Sequence, residues 1–249
     1  MNNYSMLILF IECFCIGGGL GYLGGLLGIG GGIIAIPILA WLFQMDQQLA
    51  QGTVLVMIIP NLIMSVIHYR RRNDIKLKKI IPVCILSSIF SAISSTLAIH
   101  LNAKTLNLFF CAFILLLAFY YLYAVLKRGA SRNYTLSESW LPVTGAVCGL
   151  MSGLFTVGGG MVIVPLLVAL FSYSQTRAQG TALALVLPGA FTALISYSFA
   201  GHVAWSVGLP MAMGAMFTVA SGVALAHRLP TRMLKMCFCM MLFFVALSA

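Results

Sequence analysis

Residues 25–39 read GLLGIGGGIIAIPIL, and residues 153–167 read GLFTVGGGMVIVPLL. The two stretches superpose at an offset of 128 residues, Gly30-Gly31-Gly32 on Gly158-Gly159-Gly160 and Pro37 on Pro165. Without a gap, the same offset places Gln51-Gly52-Thr53 on Gln179-Gly180-Thr181, Pro60 on Pro188, Tyr69 on Tyr197, Pro82 on Pro210 and Cys111 on Cys239. A register held that far marks two copies of one unit. The first repeat covers 1–126 and the second 139–249, joined by a polar connector over 127–138, KRGASRNYTLSE.

Of the 249 residues, 61% are hydrophobic and 7% charged, where a soluble domain carries about 25% charged residues. That composition specifies an all-α integral membrane protein. Each repeat holds five apolar segments, near 5–27, 30–43, 50–69, 80–100 and 105–126, then 139–156, 158–172, 178–200, 205–226 and 231–249. This gives about ten transmembrane or half-helix segments. The second segment of each half falls short of the roughly 20 residues of a straight span, so a broken or half-length helix is predicted there. The N-terminal stretch lacks the basic n-region and cleavage site of a signal peptide and is predicted to be a retained helix. The seven cysteines lie in apolar stretches and read as small packing residues, not a metal or disulfide set. No metal or cofactor is expected.

The 14 Lys and Arg against 4 Asp and Glu sit in short loops, which points to membrane topology and away from nucleic acid. The loop RRRNDIKLKK, 70–79, carries six basic residues, whereas its repeat partner at 198–207 carries no Lys or Arg. Conversely, RLPTRMLK at 228–235 carries three basic residues against one Lys in HLNAK at 100–104. Equivalent loops thus differ as if on opposite sides, predicting two inverted five-segment repeats with broken helices at the centre and both termini external. Parallel repeats with re-entrant glycine segments would put Arg228, Arg232 and Lys235 outside, against the rule.

Interrupted backbone at membrane depth survives only when buried in protein or lining a wet cavity. Each triplet precedes an apolar helix, Ile33 to Phe43 and Met161 to Phe171, so its free amides lie at the positive end of a helix dipole, where an anion is favoured. The alternative is close helix packing, which Gly24 to Gly28 and Gly145 to Gly149 also fit. Gln51 and Thr53, with Gln179 and Thr181, are predicted to start the third segment of each half and offer neutral donors; helix capping by the threonines is the alternative. Pro60-Asn61 and Pro188-Gly189 are predicted to break those helices two turns on. The expected substrate-binding set is therefore Gly30, Gly31, Gly32, Gln51, Thr53, Asn61, Gly158, Gly159, Gly160, Gln179 and Thr181. Glu12 and His68 could carry a proton or lie at the interface, and Arg177 could guide anions or set topology.

The doubled glycine-triplet and proline motifs, each followed by Gln-Gly-Thr, together with HYRRRNDI at 68–75 and AGHVAW at 200–205, resemble the TauE/SafE family of sulfite exporter-like permeases. The resemblance implies a secondary transporter in the bacterial cytoplasmic membrane, moving sulfite, sulfonates or related small anions by alternating access with a coupling ion, proton or sodium. A passive channel or the membrane subunit of a larger complex remains open. A membrane enzyme would need clustered His, Asp, Glu or Cys, and no such spacing occurs. No Gly-x-x-x-x-Gly-Lys loop is present for ATP. The first loop's RRRNDI and the pair Thr156-Val157, where the first repeat has Gly28-Ile29, depart from the family pattern.

Overall fold

The computed structural model describes residues 3–27, 30–72, 77–126, 137, 140–156, 158–226, 228–229 and 231–248. The connector 127–138, apart from Ser137, and residues 73–76 of the basic loop lie outside the described residues, as does the side chain of His68. Ten helices follow in order: α1 (Asn3–Leu27), α2 (Gly32–Phe43), α3 (Gln47–Arg72), α4 (Leu77–His100), α5 (Ala103–Leu126), α6 (Leu141–Phe155), α7 (Gly158–Phe171), α8 (Gln175–Phe199), α9 (Trp205–Ala226) and α10 (Thr231–Ser248). Among the described residues there is no strand.

Spans long and apolar enough to cross a bilayer lie in α1, α3, α4, α5, α8 and α9, as a multi-pass membrane protein requires. With 12 and 14 residues, α2 and α7 rise only about 18 and 21 Å at 1.5 Å per residue, well under a hydrocarbon core of about 30 Å. The sequence singled out these two as short; α6 is short as well, its 15 residues matching only the C-terminal part of α1.

The outer faces of the helices are apolar, as lipid requires, and the interior is an apolar core into which polar side chains of the spans are turned. On α4 the Ile81, Ile85, Ile89, Ile93 and Leu97 stripe is half exposed or more. Its opposite face buries Ser87, Ser91 and Ser94. The Ser87 hydroxyl donates to Leu185 O at 3.1 Å, Ser91 to Gly189 O at 2.7 Å and Ser94 to Gly149 O at 3.3 Å, tying α4 to α8 and α6.

The two halves are interleaved. Helix α1 lies along α9 and α6 along α4, so the first helix of each half packs on the fourth of the other. Likewise α3 meets α9 and α8 meets α4, while α3 and α8 pack on each other, as do α5 and α10. In the Gln47–Ile67 span of α3, 72% is buried, against 22% for Met6–Leu27 of α1, which puts α3 at the centre and α1 at the periphery.

Glycines at four-residue spacing make the α1 and α6 seams. A Cβ at Gly17, Gly21 or Gly25 would overlap backbone of Met211, Ala215 or Val219 on α9. At the same repeat positions, Gly145, Gly149 and Gly153 lie against Val83, Ser87 and Ser91 on α4. Of the glycines read as packing residues, Gly145 and Gly149 lie on this seam, Gly24 packs closely on the backbone of Gly30 and Gly31, and Gly28 lies outside the described residues.

The prolines do not break the long helices. Both α3 and α8 run unbroken through Pro60 and Pro188, which corrects the expected breaks there. Proline still removes one N–H and leaves the carbonyl four residues earlier without its helical donor. Pro165 frees the Met161 carbonyl, and the buried Tyr121 hydroxyl donates to it at 3.3 Å. Pro188 frees that of Ala184, which the Cys84 thiol approaches at 3.8 Å. Lipid offers no substitute for these donors.

Tyr121→Phe is therefore expected to destabilise the protein by about 1–2 kcal/mol, read as a lower unfolding temperature in detergent. In a Pro165→Ala background the helix regains its own donor, so the tyrosine substitution should cost less; equal costs in both backgrounds would break the link.

Candidate functional site

Two breaks define the candidate site, one between α1 and α2 and one between α6 and α7. At the first, Gly30 (φ 76°) and Gly31 (φ 81°) adopt the left-handed conformation, which glycine alone takes at no steric cost. Gly31 is the N-cap of α2, and Ala35 N–H donates to its carbonyl at 3.3 Å. The amides left without intrahelical acceptors are therefore those of Gly32, Ile33 and Ile34, two residues later than the triplet itself. A Cβ on Gly31 would stand 2.5 Å from Leu20 O, and one on Gly30 would stand 3.3 Å from Ile58 Cγ2. Across this break, Asn61 Nδ2 donates to Gly30 O at 3.0 Å, while Asn61 Oδ1, also buried, has no partner in the protein.

The second break is built differently. Helix α7 starts at Gly158, so the whole triplet forms its first turn instead of preceding it, as the sequence had suggested. The positive φ moves to Thr156 (63°), the C-cap of α6. As first-turn residues, Gly158, Gly159 and Gly160 contribute N–H groups with no intrahelical acceptor. Gly159 packs on Cys148, a Cβ there standing 2.8 Å from its carbonyl oxygen and 3.4 Å from Ser152 Cβ. Gly160 is roomier, with Val186 Cγ2 at 3.7 Å. The other ends match: α2 and α7 close on Gln44 and Ser172, 128 residues apart, both at positive φ.

The two Gln-Gly-Thr motifs do not start helices. Helix α3 begins at Gln47, where Asp46 Oδ1 accepts from Leu49 N–H at 2.8 Å, and α8 begins at Gln175 with Ser174 as its cap. Capping by Thr53 and Thr181 is thereby overturned. Instead, Gln51-Gly52-Thr53 clamps α3 to the corner between α8 and α9. Tyr197 OH donates to Gln51 Oε1 at 2.7 Å, Ala204 N–H donates to Thr53 Oγ1 at 2.9 Å, and a Cβ on Gly52 would overlap the His202 carbonyl. Gln51 Nε2 is left buried and unpartnered. In the second half, Gln179 Nε2 donates to Leu27 O at 3.4 Å, beside the first break, and Thr181 is buried.

The structure thus brings Asn61 to Gly30, and Gln179 to the end of α1. It places Gln51 and Thr53 at the α8–α9 corner. Sequence inspection missed Gln47, Ser152 and Thr156, buried residues whose Nε2, Oγ and Oγ1 have no partner in the protein. Of these, Thr156 and Ser152 carried a signal, standing where the other repeat has Gly28 and Gly24. A cleft of about 400 Å³ opens beside α2 and the start of α5, lined among others by Pro37, Trp41, Gln47, Lys104 and Phe110. The Phe110 ring packs 6.1 Å from that of Phe155, at the end of α6. Of the remaining candidates, Glu12 is exposed on α1, and the Arg177 guanidinium stacks 4.1 Å over the Tyr173 ring.

The family model described as Sulfite exporter TauE/SafE matches residues 13–249. A probable membrane transporter protein of Methanocaldococcus jannaschii is 27% identical over 248 residues, covering 94% of this chain and 92% of the relative. The probable membrane transporter protein YunE of Bacillus subtilis is 26% identical over 240 residues, covering 87% and 88%. No solved structure matches the chain at a significant level.

Proposed function

This chain belongs to the TauE/SafE family, and on that premise we propose that it is a secondary transporter carrying a small sulfur-containing oxyanion, sulfite or a sulfonate, across the bacterial cytoplasmic membrane. The observation that carries the proposal is the pair of backbone breaks, each opening a half-length helix whose first-turn amides have no intrahelical acceptor. Such ends attract anions without a fixed counter-charge. Broken helices at repeat-related positions are the usual substrate site of inverted-repeat transporters. The exchange of α1 and α6 between the halves supports two equivalent five-helix repeats; on this reading they are inverted and rock against each other, with a proton or sodium ion as coupling partner.

The conformation is uneven in a way that suits alternating access. Gln47 Nε2, at the cleft, and Gln51 Nε2 have no partner among the described residues. Gln179 Nε2, the repeat equivalent of Gln51, is engaged with Leu27 O. The cleft opens beside the loops at 44–46 and 101–102, on the side predicted external from loop charge, with Lys104 at its wall to draw anions in.

Purified protein in liposomes should move sulfite, thiosulfate or ethanesulfonate, and an imposed proton or sodium gradient should drive accumulation. Flux that only dissipates its own gradient would make the protein a channel, and no flux of any of the three would reject the substrate class. Within this assay, Gly160→Ala isolates the amide cradle. Its Cβ meets only Val186 at ordinary contact distance, and alanine favours a helix over glycine by about 1 kcal/mol. Stability is expected to hold or rise while transport falls at least tenfold; undiminished flux would remove the second triplet from the substrate path.

A further inference from the structure

We propose that the anion is bound at one break only, the α6–α7 junction, where the hydroxyls of Ser152 and Thr156 complete the cradle begun by the amides of Gly158, Gly159 and Gly160. This inference rests on the transporter function proposed above and assigns two residues to its site. Both side chains are fully buried, and neither hydroxyl has a partner among the described residues. Other helical hydroxyls find acceptors: Ser88, Thr96, Thr144 and Ser196 turn back on their own helices, and Ser87 and Ser91 reach α8. Two idle hydroxyls one helical turn apart, with Ser152 beside Gly159, are therefore not what this chain does by default. An unpartnered buried donor is costly unless something accepts from it.

Thr156 adds a second sign. It holds φ 63°, a region that a β-branched residue enters only under constraint from its surroundings. Strain of this kind collects where ligands are held. The repeat supplies the comparison, since positions 24 and 28 of the first half, equivalent to 152 and 156, are both glycine. A purely structural need at position 156 would be met more easily by glycine.

The first break has amides but no idle side-chain donor to add to them. Asn61 has its Nδ2 committed to Gly30 O and presents only an acceptor, Oδ1, and Gln179 Nε2 is engaged with Leu27 O. Gly189 stands at the matching position of the second half and adds no competing acceptor side chain there. A nearly symmetric scaffold thus carries unlike side-chain chemistry at its two breaks: idle hydroxyl donors at α7, an idle amide acceptor at α2. One bound oxyanion, and not a symmetric pair, follows.

The test compares wild type, Ser152→Ala, Thr156→Gly and Thr156→Ser as the full chain in detergent. Thermal unfolding is measured with sulfite or ethanesulfonate titrated against sodium chloride of equal ionic strength. The wild type should be stabilised by at least one of the two anions. Thr156→Gly should unfold at the same or a higher temperature than wild type without anion, yet need about tenfold or more anion for the same shift, the loss expected for a hydrogen bond to a charged group. Ser152→Ala should weaken the response similarly, and Thr156→Ser should retain it.

Wild-type responses in both Ser152→Ala and Thr156→Gly overturn the assignment while leaving the transporter function standing. A Thr156→Gly protein that unfolds well below wild type without anion overturns it too, showing a packing role. If neither anion stabilises wild type, the proposed substrate class fails and the assignment falls with it.

Discussion

Gly31→Val is expected to leave little folded, transport-competent protein, with unfolding in detergent roughly 5–15 °C below wild type for any that survives. Two separate costs produce that effect. Gly31 sits at φ 81°, and a side chain in the left-handed region costs about 1–2 kcal/mol, with a β-branched one at the unfavourable end. Its Cβ would also stand 2.5 Å from Leu20 O; relief requires α1 and α2 to separate, an overpacking cost of about 1–3 kcal/mol. Gly31→Asn tests the division, because asparagine tolerates the left-handed region better yet keeps the overlap, and it should fall between valine and wild type. An unfolding temperature unchanged in the valine variant would mean that α2 does not begin at a left-handed glycine. Members of the two triplets therefore differ in kind: Gly31 is fixed by backbone geometry, whereas Gly160 has room for a methyl group and can report on the ligand.

The membrane class, the number of helices and the two half-length segments were legible because lipid imposes long apolar runs, and a glycine triplet inside such a run marks where a helix ends and the next begins. Helix starts were less legible. Gln51-Gly52-Thr53 has the composition of a helix entry, but Asp46 and Ser174, less conspicuous in the sequence, hold the true first turns. The motif is spent on a tertiary contact with His202 and Ala204 that no local pattern announces. Pro60 and Pro188 misled for a related reason. Helix α8 continues past Pro188, and the freed Ala184 carbonyl is met by the Cys84 thiol, a hundred residues away. At the site, glycine drew attention to the amides, while Gln47 was lost among ordinary helical residues and Ser152 showed only as a departure from Gly24 of the other repeat. Their distinction is that they lack partners, a property of the packed molecule and not of the chain.

Gly21→Leu and Gly19→Leu should have opposite outcomes although they stand two residues apart on α1. A Cβ at Gly21 would overlap the Ala215 backbone on α9, and there is no flexible side chain to yield; at Gly19 nothing lies within 4 Å. In water such a difference is partly masked by the hydrophobic gain of an added leucine. In lipid that gain is absent, because the acyl chains are as apolar as the side chain, and helix association depends on close backbone approach. Gly21→Leu pushes α1 off α9 and is expected to cost at least about 3 kcal/mol, enough to remove monodisperse protein from a detergent extract. Gly19→Leu should extract and unfold like wild type. The seam of α6 on α4 gives the same test in the other half, since Gly149 occupies the position 128 residues after Gly21 and meets Ser87 backbone. If the halves are exchanged copies, Gly149→Leu must fail as Gly21→Leu does. Survival of either leucine would mean that its seam is not close-packed, and the interleaving of the two halves would lose its physical basis.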